Sequence, residues 1–160
     1  MCYCVFLASE HSFPEIPLDM ENRGFNAAVL NEDHPVKKWL SKPHQVQLGS
    51  HTWCACGLDF QFDEYCERNE PPDFNDVQTP AMWENELAEY ALGKKCMEDY
   101  FTYLRAMLEK GDLEWYCVWD GDWDNVPVRR VELPAASLSK APDFSQRYPL
   151  EKGLFVCYKQ

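Results

Sequence analysis

Basic residues are scarce in this chain. Lys and Arg number 15 against 27 Asp and Glu, a formal net charge of −12 over 160 residues. Proteins that hold nucleic acid by neutralising phosphates need the opposite balance. So do proteins that adsorb to anionic lipid. Neither nucleic acid nor membrane is therefore expected as a partner. Long apolar runs are missing as well: no stretch approaches the ~18 residues of a membrane-spanning helix. The segment Met1 to Glu10 has no Lys or Arg ahead of its short apolar run, so it does not read as a secretory signal. The expected location is cytoplasmic, with the eight cysteines as reduced thiols. Also lacking are a Walker-type loop, a dinucleotide-binding glycine pattern, a serine elbow and an H-E-x-x-H pair.

Large apolar side chains are plentiful. Hydrophobic residues make up 46% of the chain and aromatics 14%, which excludes intrinsic disorder. The length fits one globular domain, residues 1–160. Residues 2–8 are apolar on both faces and predict a strand near the centre of a sheet. Further strands are expected over 25–31, 44–48, 113–119, 126–133 and 154–158, with a short helical stretch from Pro35 to Leu40. Leu58, Phe60 and Phe62 alternate with polar residues as in a half-buried extended segment. Residues 66–80, with Pro71, Pro72 and Pro80, read as loop. The clearest element is a helix from Pro80 to Lys110, with Thr79 as N-cap and Gly111 as stop. Trp83, Leu87, Tyr90, Ala91, Met97, Phe101, Leu104 and Leu108 form its apolar stripe, and Gly93 is a place to kink or split it. Pro127 predicts that the strand after residue 126 lies at an edge. The expected fold class is α+β, a single mostly antiparallel sheet packed against one long helix.

Charge is uneven along the chain. Residues 59–92 hold ten acids and one base, Arg68. A solvated face beside a helix N-terminus explains this. An acidic docking surface for a basic partner, using Glu64, Glu67, Glu70, Asp73 and Asp76, is the sharper reading. Residues 120–125 space their carboxylates like the start of a calcium loop. They carry Asn125 where that loop needs Gly and Val131 where it needs Glu, so a hairpin turn is expected instead.

The segment most able to carry chemistry is Gly49-Ser50-His51-Thr52-Trp53-Cys54-Ala55-Cys56-Gly57. It resembles a Gly-Ser-His-x-x-Cys-x-Cys-Gly segment of small uncharacterised bacterial proteins, and that resemblance implies no activity. The residues admit several readings. His51, Cys54, Cys56 and Cys66 offer one nitrogen and three sulfurs, a donor set that suits zinc, although C-x-C is a tighter bite than the usual C-x2-C. Cys54 or Cys56 with His51 nearby could act as the nucleophile of a thiol-dependent enzyme. Backbone N–H groups of the loop could cradle an anion or small ligand, with Gly49, Ser50, His51, Trp53 and Gly57 as the binding residues. In a passive reading the glycines allow a tight bend, Trp53 packs, and the cysteines fill small spaces. The leading expectation is a binding or interaction module that uses the 49–57 loop and the acidic 59–89 region. Its partner would be an unidentified protein or small molecule, and no cofactor is expected. A zinc-stabilised domain and an acidic inhibitor or immunity-type protein are alternatives. Cys2, Cys4, Cys117 and Cys157 are expected to be buried on strands and unreactive. Cys54 and Cys56 are expected to be the most reactive thiols.

Overall fold

The computed structural model describes residues 2–19, 21, 23–58, 63–69, 79–138 and 153–159. Six strands form one sheet: β1 (Tyr3–Ser9), β2 (Asn26–Val29), β3 (His44–Gly49), β4 (Leu113–Trp119), β5 (Arg129–Pro134) and β6 (Leu154–Lys159). Their order is β2-β3-β1-β4-β6-β5. Every neighbouring pair is antiparallel except β5 with β6, which is parallel. A short helix α1 (Glu64–Arg68) and a long helix α2 (Pro80–Leu108) complete the regular structure, so the fold is α+β. Among the described residues no helix is long and apolar enough to cross a membrane.

The sheet is covered on both faces. This is why β1 and β4, at its centre, read as nearly continuous apolar runs. Alternation along β1 sends Val5 and Leu7 to one face and Cys4, Phe6 and Ala8 to the other. The register extends these choices into rows across the strands. Val46, Leu7, Trp115 and Val156 line up on the first face. Phe6, Tyr116 and Phe155 line up on the second. Helix α2 covers the first face with Cys96, Met97, Tyr100, Phe101, Leu104, Met107 and Leu108. The 3-10 turn Pro35–Trp39 covers the second, with Val36 and Trp39 joined there by Leu40 and Trp123.

Several expectations need correction. Helix α2 runs unbroken through Gly93, which is buried within it, so it is neither split nor interrupted there. Its apolar stripe is buried from Gly93 onward and at Trp83, whereas Leu87 and Tyr90 are half-buried and Ala91 is exposed. The segment read as loop from residue 66 begins inside α1. Asp63 caps this helix, its Oδ1 accepting from the N–H groups of Tyr65 and Cys66 at 2.9 and 3.0 Å. Leu58 ends a 3-10 turn, Ala55–Leu58, and the rest of the alternating segment, 59–62, lies outside the described residues. Residues 120–125 turn the chain but do not close a hairpin. Strand β6 lies between β4 and β5, and β5 pairs with it in parallel at the sheet edge.

Cys2 is a further correction. It precedes the first ladder residue of β1 and is exposed. Cys4 and Cys117 are buried as expected, and Cys157 is only partly so.

Candidate functional site

The loop after β3 is organised by Ser50, which has no solvent exposure. Its Oγ donates to the carbonyl of Cys54 at 2.6 Å and accepts from the N–H of Thr52 at 3.2 Å. Its backbone N–H donates to the same Cys54 carbonyl at 3.1 Å, and its own carbonyl accepts from the N–H of Trp53 at 2.8 Å. The turn closes with Trp53 in the left-handed region, at φ 67°. A bulky residue is strained there. The Trp53 side chain gains little packing in return, being 54% exposed. Gly49 and Gly57 do not supply the bend, because neither has positive φ. They supply close approach. A Cβ on Gly57 would lie 2.3 Å from Oγ of Ser50, and one on Gly49 2.4 Å from Oδ1 of Asn26.

This packing brings the loop to the start of β1. Carrying the β1–β3 register three residues outward from the Val5–Leu48 pair sets residue 2 opposite residue 51. The N–H of Asp120 holds the carbonyl of Cys2 at 2.8 Å, and the N–H of Tyr3 donates to Sγ of Cys56 at 3.2 Å. The result is a cluster of three thiols. The Sγ atoms of Cys2, Cys54 and Cys56 all lie within 4.8 Å of one another. Cys2 is exposed, while Cys54 and Cys56 are half-buried.

The three sulfurs are not equivalent. Burial pushes the Cys54 thiol up. Hydrogen bonds from the side chain and backbone of Cys56, from the Thr52 hydroxyl and from the Cys2 thiol outweigh that, and the net shift is below the ordinary cysteine value. Cys56 moves the other way. Burial raises it, its hydrogen bond to Cys54 adds to that, and it reaches about 11 despite the Tyr3 N–H. Between Cys54 and Cys56, Cys54 is therefore the better able to carry negative charge, with its neighbours as donors.

The other candidate residues are placed elsewhere. His51 is buried, and its backbone N–H faces the thiol of Cys96 on α2. Its Nδ1 has no hydrogen-bond partner among the described residues. Burial pushes its pKa below the ordinary value, Glu89 opposing and Arg23 adding to the shift. Cys66 is buried on α1, where burial and the nearby Asp63, Glu86 and Glu67 carboxylates raise it to about 11. Neither His51 nor Cys66 belongs to the thiol group. Of the five acids considered for docking, Glu70, Asp73 and Asp76 lie outside the described residues. Glu64 begins α1. The Glu67 carboxylate accepts from Tyr90 Oη at 2.8 Å and from Lys94 Nζ at 2.5 Å, so its charge is already compensated within the chain.

A groove of about 570 Å³ lies beside α2, with Arg23, Lys95, Asp99 and Cys96 in its lining. Arg23 pairs with Glu89, and Lys95 pairs with Asp99 at 2.5 Å.

The sequence reading missed Cys2. Spacing alone does not connect residue 2 to residue 54. The pairing of β1 with β3 does, and it was available only once the strand order was known. The chain matches no family model, no curated protein and no solved structure.

Proposed function

We propose that this chain is a small binding module that engages its ligand through thiols, at the 49–57 loop and the adjoining Cys2. The observation that carries this reading is the convergence of the Cys2, Cys54 and Cys56 sulfurs within 4.8 Å at a partly exposed site. Free cysteines more often serve as small buried hydrophobes, and Cys4, Cys96 and Cys117 do so here. The loop cysteines depart from that pattern. They face one another across two chain segments, hydrogen-bond to one another, and remain reachable from solvent. The exposed Trp53 beside Cys54 adds an apolar surface at the same place. Aromatic side chains of this kind are frequent anchors in binding surfaces.

The test is competitive alkylation of the reduced, metal-free native protein with limiting iodoacetamide, read peptide by peptide by mass spectrometry. Cys54 should label first and Cys2 next, both ahead of the half-buried Cys157. Cys4, Cys96 and Cys117 should label last. Labelling of Cys54 and Cys2 no faster than Cys157 would remove the reading, because the loop would then present no distinct thiol chemistry.

A further inference from the structure

Three sulfurs from two separate chain segments, mutually within 4.8 Å, form a donor set that fits around one ion. We infer that Cys2, Cys54 and Cys56 together bind a single thiophilic d10 metal ion, of the zinc, cadmium and copper(I) class, through three thiolates. This rests on the thiol-binding reading above and names its ligand.

The donor chemistry selects the class. Thiolates favour soft or borderline-soft ions, whereas calcium and magnesium require oxygen donors. No carboxylate or imidazole joins this group among the described residues. The quartet of His51, Cys54, Cys56 and Cys66 is replaced by a trio in which Cys2 is the new member. A closed zinc site is four-coordinate, and sites with three protein ligands leave a position for an outside molecule. The same arrangement is expected here, with the outside position on the solvent side where Cys2 is exposed.

The surroundings also suit a cation. Cys56 already accepts from the N–H of Tyr3, and Cys54 shares a hydrogen bond with the Thr52 hydroxyl, two groups placed to donate to thiolates around a metal. Binding releases the thiol protons, so a cation replaces the protons now shared among the three sulfurs. The chain as a whole carries −12, which favours cation approach.

Cadmium is the probe, titrated anaerobically into the reduced, metal-free full chain. One equivalent should bind, with thiolate-to-cadmium charge-transfer absorption in the ultraviolet, and zinc should displace it competitively. Cys2→Ser, Cys54→Ser and Cys56→Ser should each weaken binding by at least about tenfold, the scale on which even supporting groups matter to metal sites. Cys157→Ser, which removes a partly exposed thiol outside the cluster, should bind as the parent does. Cys2 lies ahead of the ladder and is exposed, so Cys2→Ser separates lost binding from lost folding; circular dichroism checks the fold of all four variants. Absence of a one-to-one complex, or unchanged affinity in Cys2→Ser, would overturn the inference. Selective alkylation of Cys54 with no cadmium binding would overturn the metal assignment and leave the thiol-binding reading standing. Unselective alkylation of the metal-free protein would remove that underlying reading.

Discussion

Ser50 and Gly57 illustrate how little space the loop leaves. Gly57→Ala would place a methyl carbon 2.3 Å from Oγ of Ser50, 2.8 Å from Cε1 of His51 and 2.9 Å from Oγ1 of Thr52. All three atoms belong to residues of the turn that fixes Cys54. The expected cost is overpacking of about 1–3 kcal/mol, read as a lower urea midpoint, together with a loss of selective Cys54 labelling. Trp53→Gly should behave differently. It relieves a left-handed residue, a strain of ~1–2 kcal/mol, and removes a side chain that is 54% exposed. Glycine gives back part of that gain through the freedom of the unfolded chain, so stability should stay within ~1 kcal/mol of the parent. A large loss at Trp53 and none at Gly57 would refute this account of the loop. The Gly-Ser-His-Thr-Trp-Cys-Ala-Cys-Gly segment stood out in sequence because its residue types are unusual. Their roles could not be read there. The glycine reading assigned the bend to Gly49 and Gly57, yet the left-handed turn residue is a tryptophan. The histidine nearest in sequence to the thiols meets a different cysteine, Cys96, through its backbone N–H.

Elements were legible where one local signal dominated. Helix α2 begins at Pro80 because Thr79 accepts from the N–H of Met82 at 3.3 Å and proline needs no donor in a first turn. Thr79→Ala should cost about 1 kcal/mol, measurable as a shift in urea midpoint. Because the first turns of the helix are largely exposed, the loss should be confined to its N-terminal end, with faster amide exchange at Met82 and Trp83 than near Leu104. Uniform acceleration along the whole helix would show that the cap governs global stability instead. Strands β1, β4 and β6 were readable from their apolar runs, and β3 from the weak alternation of Val46 and Leu48 with glutamines. Their order was not. The turn after Trp119 has the Asp-Gly dipeptide of a tight hairpin, and a hairpin was the natural local inference. A non-local preference prevailed: β6, rich in Phe155, Val156 and Tyr158, takes the place beside β4. Exposed β5 is left at the edge, consistent with Pro127 just ahead of it. Helix α1 was missed because it is only five residues long and its signal is one capping side chain, Asp63. Strand pairing is also what carries Cys2 to the loop. The candidate site was thus half visible in sequence, as Cys54 and Cys56, and half hidden in topology.

At the scale of the molecule, two effects of acid oppose each other. Lowering the pH neutralises carboxylates and relieves the self-repulsion of a chain at −12, which favours the folded state. Two histidines act in the other direction. Burial pushes His51 below its ordinary value of 6.5, with Glu89 opposing and Arg23 adding to the shift. Burial and the nearby Lys37 do the same to His34, whose Nδ1 accepts from the N–H of Val36 and so needs to be unprotonated. Between the depressed folded values and 6.5, the unfolded chain binds protons that the folded chain does not. Stability therefore rises with pH through that window and falls as pH drops below 6.5. The Glu67 carboxylate, lowered by its hydrogen bonds from Lys94 and Tyr90, is lost only as pH falls below the ordinary 4.5, so it does not blur the window. Salt separates the two effects. At ~1 M the screening length is roughly 3 Å, which removes most long-range repulsion and leaves the cost of charging a buried imidazole. Urea midpoints measured in high salt should fall between pH 7 and 5, and His51→Gln and His34→Gln should each flatten part of that fall. Their contributions should add, since one ring lies by the loop near α2 and the other by Phe6 and Trp123 on the opposite face. A midpoint that rises on acidification in high salt, or a slope unchanged in the double variant, would show that neither histidine is held neutral by the fold.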